Sequence, residues 1–208
     1  MAQIQRLERS KRVRGRYLVW LDDGTMLRAT EQEVLDFALR PGLELGEEET
    51  ARLRASSSES AAKARAARMI GARPLAKREL VDRLVAKGEG AEQAARAADW
   101  LEELGAVDDR AYAAMLVRHY DARGYGPQRL REELRRRKVP AEYWEEALAG
   151  ARPEEEVIEQ YLERRLSRGP VTEQELGRQA NALRRRGFSW RAIRSQLDRW
   201  QPEPEETW

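Results

Sequence analysis

The sequence predicts a mainly α-helical protein of tandem three-helix repeats, with a small β-hairpin region at its N-terminus. Apolar residues recur at helical spacing over most of the chain after residue 46. One leucine-led pattern returns at Leu84, Leu134 and Leu183, which stand 50 and 49 residues apart. An Asp-Gly pair separates two β-prone segments near the N-terminus. Three successive units of one plan predict an elongated array of repeats.

The hairpin lies in the first 46 residues. Residues 13–21 and 25–29 are β-prone, and Asp23 and Gly24 lie between them. An Asp-Gly pair is typical of a hairpin turn, because glycine accepts the positive φ that the turn requires. The pair therefore predicts two antiparallel strands.

A short helix follows the hairpin. Thr30 and Glu33 have the spacing of a capping box, which predicts that this helix begins at Thr30. Ile4 and Leu7 are candidates for a third strand. A two-stranded hairpin is marginal by itself, so we expect residues 1–46 to pack on the helices.

Residues 47–108 are predicted to form the first repeat. Its first helix, up to Ala72, is rich in alanine and serine and weakly apolar, so we expect it to be partly frayed or exposed. The second helix begins at Pro74 and ends near Gly88, and the third covers residues 91–104.

Residues 109–150 are predicted to form the second repeat. Asp109 is the candidate N-cap of its first helix, which Gly124 ends. The second helix begins at Pro127, and a short third helix begins at Pro140.

Residues 151–200 are predicted to form the third repeat. Its first helix covers residues 153–168, its second begins at a capping Thr172, and its third covers residues 189–200. Residues 201–208 contain prolines and acidic residues and are predicted to be a flexible tail.

Composition excludes several classes of protein. The 208 residues include no cysteine, which rules out disulfides, thiolate nucleophiles and zinc-thiolate sites. No apolar segment approaches the roughly 20 residues of a membrane span. The net charge of +2 says little about partners. We expect a cytoplasmic monomer that does not bind membranes.

Motifs for catalysis are almost absent, so we expect a protein that is not an enzyme and holds no cofactor or metal. No HExxH or GxxxxGK[ST] motif occurs, and the single histidine, His119, is best explained as a structural or surface residue. Asp108 and Asp109 suit either a metal or the N-terminus of a helix. The Gly-Tyr-Gly sequence at 124–126 suits either a phosphate loop or a tight turn, and it lacks the preceding strand of the former.

Arginine clusters are the most informative feature. In the second and third repeats the second helix ends in basic residues, so stacking of the repeats would align these ends along one side. The alternative is a solvated helix face, with Glu132 paired to Arg136 and Glu133 to Arg137 at four-residue spacing. The candidate partner-binding residues are Arg129, Arg131, Arg135, Arg136, Arg137, Lys138, Arg184, Arg185, Arg186, Arg191 and Arg194.

Tryptophans offer a second candidate for nucleic-acid contact. Three of Trp100, Trp144, Trp190 and Trp200 fall on apolar helix faces, which favours a place in the core over base stacking.

The segments RPLAKRELVDRLVAKG, LEELGAVDDRAYA, RGYGPQRLREELRRRKVP and YWEEAL resemble the RecX family of recombinase regulators. The resemblance covers residues 61–200, whereas residues 1–46 are less diagnostic and Lys138 replaces a glycine common in the family. It implies a non-enzymatic protein that binds RecA, lies in the groove of the RecA filament on DNA, and inhibits strand exchange and ATP hydrolysis. Two hypotheses follow: a regulator of RecA in recombination, DNA repair and the SOS response, or a protein that binds single- or double-stranded DNA directly through basic helices.

Overall fold

A computed structural model describes residues 1–167 and 171–200. It divides into two compact units, Met1–Val107 and a second that begins at Asp108. The predicted tail, residues 201–208, lies outside the described residues. The described part is mainly helical with a small N-terminal sheet, which confirms the predicted fold class.

A four-stranded antiparallel sheet opens the first unit, in the order β3-β2-β1-β4. Its strands are β1 (Ala2–Arg9), β2 (Arg16–Leu21), β3 (Met26–Thr30) and β4 (Glu44–Leu45). The predicted hairpin is β2–β3, and the candidate third strand is β1. The sheet is larger than predicted, because the far edge of β1 pairs with β4, whose two residues are too few to give a periodic signal.

The helix α1 (Glu31–Asp36) begins with the predicted capping box. Thr30 Oγ1 accepts a hydrogen bond from the Glu33 N–H at 3.0 Å, and Glu33 Oε2 accepts one from the Thr30 N–H at 2.6 Å. This reciprocal pair satisfies two backbone donors where β3 passes into the helix.

The long helix α2 (Glu47–Ala72) is continuous over 26 residues, so it is not frayed, but it is partly exposed, as the alternative expectation had it. Its first half contributes Leu53 to the core of the sheet, beside Ile4 and Val19. Its second half contributes Ala62 and Ala66 to the core of the first repeat. Because two different cores cover the helix along its length, no single apolar face marks it in the sequence.

The first repeat is completed by α3 (Lys77–Ala86) and α4 (Ala91–Glu103). Leu80 and Leu84 of α3 are fully buried against Leu101 and the alanines of α4.

The second repeat contains α5 (Asp109–Asp121), α6 (Pro127–Arg136), a 3-10 turn (Ala141–Tyr143) and α7 (Trp144–Ala149). The N-cap of α5 is Asp108, not Asp109 as predicted, because Asp108 Oδ1 accepts a hydrogen bond from the Ala111 N–H at 2.8 Å. Leu130 and Leu134 lie on the buried face of α6.

The third repeat contains α8 (Glu154–Leu166), α9 (Glu173–Arg185) and α10 (Trp190–Leu197) around Ile158, Leu162 and Leu183. Thr172 caps α9 as predicted, accepting a hydrogen bond from the Glu175 N–H at 3.2 Å. The α8 helix ends at Leu166, and residue 168 of the predicted helix lies outside the described residues.

Candidate partner-binding surface

The repeated leucine pattern marks one helix cap that recurs in all three repeats. The amide N–H groups of Glu89, Val139 and Phe188 donate to the carbonyls of Leu84, Leu134 and Leu183 at 3.1, 3.1 and 3.3 Å. These six-to-one bonds are those of a Schellman motif. The residue before each donor is left-handed, with φ of +89° at Gly88, +58° at Lys138 and +87° at Gly187.

The helix dipole favours the basic residues that end α6 and α9. The carbonyls in the last turn of a helix carry partial negative charge, which favours cations there. Arg135 and Arg136 occupy the last turn of α6, and Arg184 and Arg185 occupy that of α9.

The basic end of α9 abuts the beginning of α6. The Gly126 N–H donates to the carbonyl of Arg186 at 2.8 Å, and the Gln128 N–H donates to that of Gly187 at 3.1 Å. The first amides of α6 therefore find partners in the cap of α9. Because α6 has ten residues, the two basic ends lie about 15 Å apart, one helix length.

Buried Glu133 organises the basic end of α6. Its two carboxylate oxygens form ion pairs with Arg129 at 3.1 Å and with Arg136 at 2.5 Å. Only 3% of the residue is exposed. Burial disfavours its charge, but hydrogen bonds from Arg136 and Tyr120 outweigh burial and hold the pKa of Glu133 below its usual range.

The predicted ion pairs of α6 are therefore wrong in register. Glu133 pairs with Arg136 at three-residue spacing instead of Arg137, and Glu132 pairs with Arg129 instead of Arg136. Glu133 lies on the buried face of α6, where Arg129, four residues before it, and Arg136, three residues after it, both reach its carboxylate.

The remaining cations of α6 differ in their surroundings. Arg131 pairs with Glu145 at 3.1 Å, and the Arg135 guanidinium lies 5.6 Å from the ring centre of Trp144. Arg137 is half-buried, and its Nε has no hydrogen-bond partner among the described residues. Lys138 is exposed at the left-handed position of the cap.

The candidate residues of the third repeat are more open. Arg184, Arg185, Arg191 and Arg194 are all exposed, and none forms an ion pair with a residue that the structure describes. These four guanidinium groups keep their charge available to a partner.

Arg186 differs from its neighbours because it is used inside the second unit. Its Nη1 donates to the carbonyls of Arg123 and Gly124 at 3.1 Å each. Its guanidinium lies 5.1 Å from the ring centre of Tyr161 and 5.8 Å from that of Tyr125. It thus ties the third repeat to the end of α5 in the second.

Comparison with known proteins identifies the family. A model described as "RecX, second three-helix domain" matches residues 108–148. The regulatory protein RecX of Levilactobacillus brevis is 33% identical over 195 residues, which are 90% of this chain and 72% of that protein. The chain belongs to the RecX family.

Other RecX proteins agree. The regulatory protein RecX of Acidithiobacillus ferrooxidans is 33% identical over 64% of this chain and 85% of its own. That of Lactobacillus delbrueckii is 31% identical over 74% of this chain, and the match spans 57% of the relative. The RecX resemblance noted in the sequence is therefore confirmed.

Two solved RecX structures share the fold. A regulatory protein RecX superposes with a TM-score of 0.69 at 24% identity, covering 95% of this chain and 100% of its own. RecX from Lactobacillus salivarius has a TM-score of 0.60 at 18% identity, covering 68% of this chain and 96% of its own. At these identities the likeness supports the fold alone.

The other candidate sites from the sequence have structural explanations. Residues 124–126 form the tight turn between α5 and α6, as expected. His119 is exposed and lies edge-on to Tyr120, with ring centres 5.1 Å apart. Trp100 and Trp200 pack on the cores of their repeats, whereas Trp190 is 56% exposed.

Residues 1–167 and 171–200 contain neither a candidate membrane span nor a candidate metal site. No helix there has the length and hydropathy to cross a membrane. No three or more His, Cys, Asp or Glu residues come together there in a way that could hold a metal ion.

Sequence reasoning missed one group of arginines. Arg123, Arg152, Arg164 and Arg165 line a cleft together with Arg186. Arg123 follows the end of α5, Arg152 lies in the loop before α8, and Arg164 and Arg165 lie in α8, so their grouping cannot be read from one stretch of the sequence. The 49-residue repeat gives the only signal, because it predicts that the two repeats adjoin.

Proposed function

We propose that the chain regulates RecA by binding the RecA nucleoprotein filament and suppressing strand exchange and ATP hydrolysis. Membership of a family whose members are named regulatory proteins carries this proposal. No chemistry of its own is required, so we propose that it acts by binding and not as an enzyme.

The arginines that are exposed and unpaired within the described structure, Arg184, Arg185, Arg191 and Arg194, are the strongest candidate contacts. Arg131 and Arg135 extend the surface along α6, about one helix length away. Such spaced positive charge suits a filament that presents negative charge at regular intervals. Arg129, Arg136 and Arg186 hold the fold and are secondary candidates.

Charge reversal at the end of α9 tests this proposal. We expect the double variant Arg184→Glu, Arg185→Glu to lose most of the inhibition of RecA's DNA-dependent ATPase, because repulsion replaces attraction. Neither side chain has an ion-pair partner among the described residues, so the fold should persist. The matched control is Arg12→Glu, Arg14→Glu, which changes the net charge equally on exposed residues of the first unit. Inhibition that survives in the α9 variant would refute this surface.

Direct DNA binding is the second candidate function. The same exposed arginines favour it, because guanidinium groups bind phosphate in a bidentate manner. A chain that bound bare DNA as tightly as RecA-coated DNA would support this alternative.

A further inference from the structure

An arginine-lined cleft lies between the second and third repeats, within the second unit. The end of α5, the loop before α8, the outer face of α8 and the cap of α9 surround it. Its volume is about 240 Å³. Among the residues that line it are five arginines: Arg123, Arg152, Arg164, Arg165 and Arg186.

Positive charge in the cleft is largely uncompensated. No carboxylate is among its lining residues, although Arg152 pairs with Asp121 at 2.9 Å. Arg123, Arg164 and Arg165 form no ion pair with the described part of the chain. Arg186 binds only backbone carbonyls and aromatic rings. Four guanidinium groups therefore lack a counter-charge.

Rigid contacts orient part of this set. Arg152 also donates to the Asp121 carbonyl at 2.7 Å and to Gln160 Oε1 at 3.3 Å. The guanidinium groups of Arg186 and Arg165 lie 5.1 and 5.8 Å from the centre of the Tyr161 ring. Stacked and hydrogen-bonded guanidinium groups lose less conformational entropy when they bind an anion.

We propose that this cleft binds a backbone phosphate of a nucleic acid. Planar guanidinium groups match the geometry of phosphate oxygens. Exposed Arg184 and Arg185 continue the positive charge beyond the cleft, which suits a polyanion better than a single small anion. The proposal concerns bare nucleic acid and holds whether or not the chain regulates RecA.

A phosphate in this cleft would also tie two repeats together. Arg123 belongs to the second repeat, whereas Arg164, Arg165 and Arg186 belong to the third. The contacts between these two repeats include the amides of α6, the Arg186 side chain and the Arg152–Asp121 pair. Binding would therefore stiffen this joint.

The test uses the full chain and a fluorescently labelled single-stranded 30-mer DNA in the absence of RecA. We expect Arg164→Ala, Arg165→Ala to weaken binding by about tenfold or more, because charge-assisted contacts are lost. The slope of log K against log salt should fall by about 1.4, at roughly 0.7 per phosphate contact. The control Arg12→Ala, Arg14→Ala removes the same charge from the first unit. It should leave the DNA affinity and the salt slope nearly unchanged.

Equal losses in the two double variants, or wild-type binding by the cleft variant, would overturn the proposal. The charge-conserving Arg164→Lys, Arg165→Lys separates a binding role from a folding defect. We expect it to weaken binding by a few-fold while the salt slope stays that of the wild type, because lysine keeps the charge but loses the bidentate geometry.

Competitors identify the source of the anion. We expect an abasic 30-mer to displace the labelled DNA as well as the normal strand does, because the site contacts phosphate and not bases. Inorganic phosphate and polyglutamate, at matched ionic strength, should compete at least a hundredfold more weakly. Equal competition by inorganic phosphate would assign the cleft to a free anion, and equal competition by polyglutamate to an acidic protein segment. Either result would contradict the proposal.

Discussion

Gly126 and Gly187 lie so close together that a Cβ atom on Gly126 would stand 2.5 Å from the carbonyl oxygen of Gly187. Gly187 in turn lies against the first turn of α6, because a Cβ on Gly187 would stand 2.7 Å from Arg129 Cβ. It allows the first amides of α6 to reach the carbonyls at the end of α9. The contact sets the joint between the second and third repeats.

Gly126→Ala should therefore loosen this joint. The clash is with backbone, which cannot rotate away, so we expect the free energy of unfolding to fall by about 1–3 kcal/mol. Urea denaturation measures it. Gly177→Ala is the matched control, because Gly177 is exposed inside α9 with no atom within 4 Å of its Cβ. It should stabilise by about 0.5–1 kcal/mol. A Gly126→Ala protein as stable as the wild type would show that the helices do not meet this closely.

Lys138→Gly should stabilise the chain. Lys138 adopts φ +58°, a left-handed conformation that costs an L-residue about 1–2 kcal/mol. We expect a gain in the free energy of unfolding of about 1 kcal/mol, after allowing for the greater entropy of glycine in the unfolded chain. The reverse change, Gly88→Ala at φ +89° in the first repeat, should destabilise by a similar amount. Thermal unfolding of both variants tests the shared cap, and a destabilised Lys138→Gly would contradict it.

Glu133→Gln should weaken the chain at neutral pH. Loss of charge at this buried residue removes its ion pairs to Arg129 and Arg136, which we expect to cost about 1–2 kcal/mol. Because the pKa of Glu133 is depressed in the folded state, its contribution is complete above the unfolded pKa near 4.5 and is lost as the pH falls through the folded pKa. The variant should therefore differ from the wild type at pH 7 and converge with it in acid.

Urea titrations from pH 7 to pH 3 measure this dependence. Glu132→Gln is the control, since Glu132 is exposed and its pair with Arg129 should contribute at most about 0.5 kcal/mol. A constant gap between Glu133→Gln and the wild type down to pH 3 would exclude a titrating ion pair.

Arg185→Ala and Arg186→Ala should differ in their effect on stability. Arg186 carries two hydrogen bonds and a ring contact, so its loss should destabilise the chain by about 1.5–3 kcal/mol. Arg185 is exposed, and its loss should change stability by less than about 0.5 kcal/mol while weakening binding to RecA-coated DNA. Unfolding and binding are measured on both variants. Equal destabilisation of the two would contradict a structural role for Arg186 that Arg185 lacks.

The sequence predicts the repeats well because their signal is local. The leucine, the cap residues and the left-handed position that follows lie within six residues in each copy, as at Leu84 to Glu89. The capping box at Thr30 is equally local.

The joint and the cleft lie beyond such reasoning. The hydrogen bond from Arg186 to the Arg123 carbonyl spans 63 residues. Its acceptor is a backbone carbonyl, which every residue type has, so the sequence does not mark it. The same holds for Glu133, whose choice between Arg136 and Arg137 depends on which side of α6 is buried. The repeated pattern indicates that two repeats adjoin, but it does not indicate which side chains are in contact.

Titration of the chain onto RecA-coated and bare single-stranded DNA over a range of salt tests the central claim most directly. If the chain regulates RecA through its filament, binding to RecA-coated DNA should be at least tenfold tighter at every salt concentration. The affinity for RecA-coated DNA should also fall in the Arg184→Glu, Arg185→Glu variant. Equal affinity for the two DNAs, with the same salt slope of about 0.7 per phosphate contact, would contradict it.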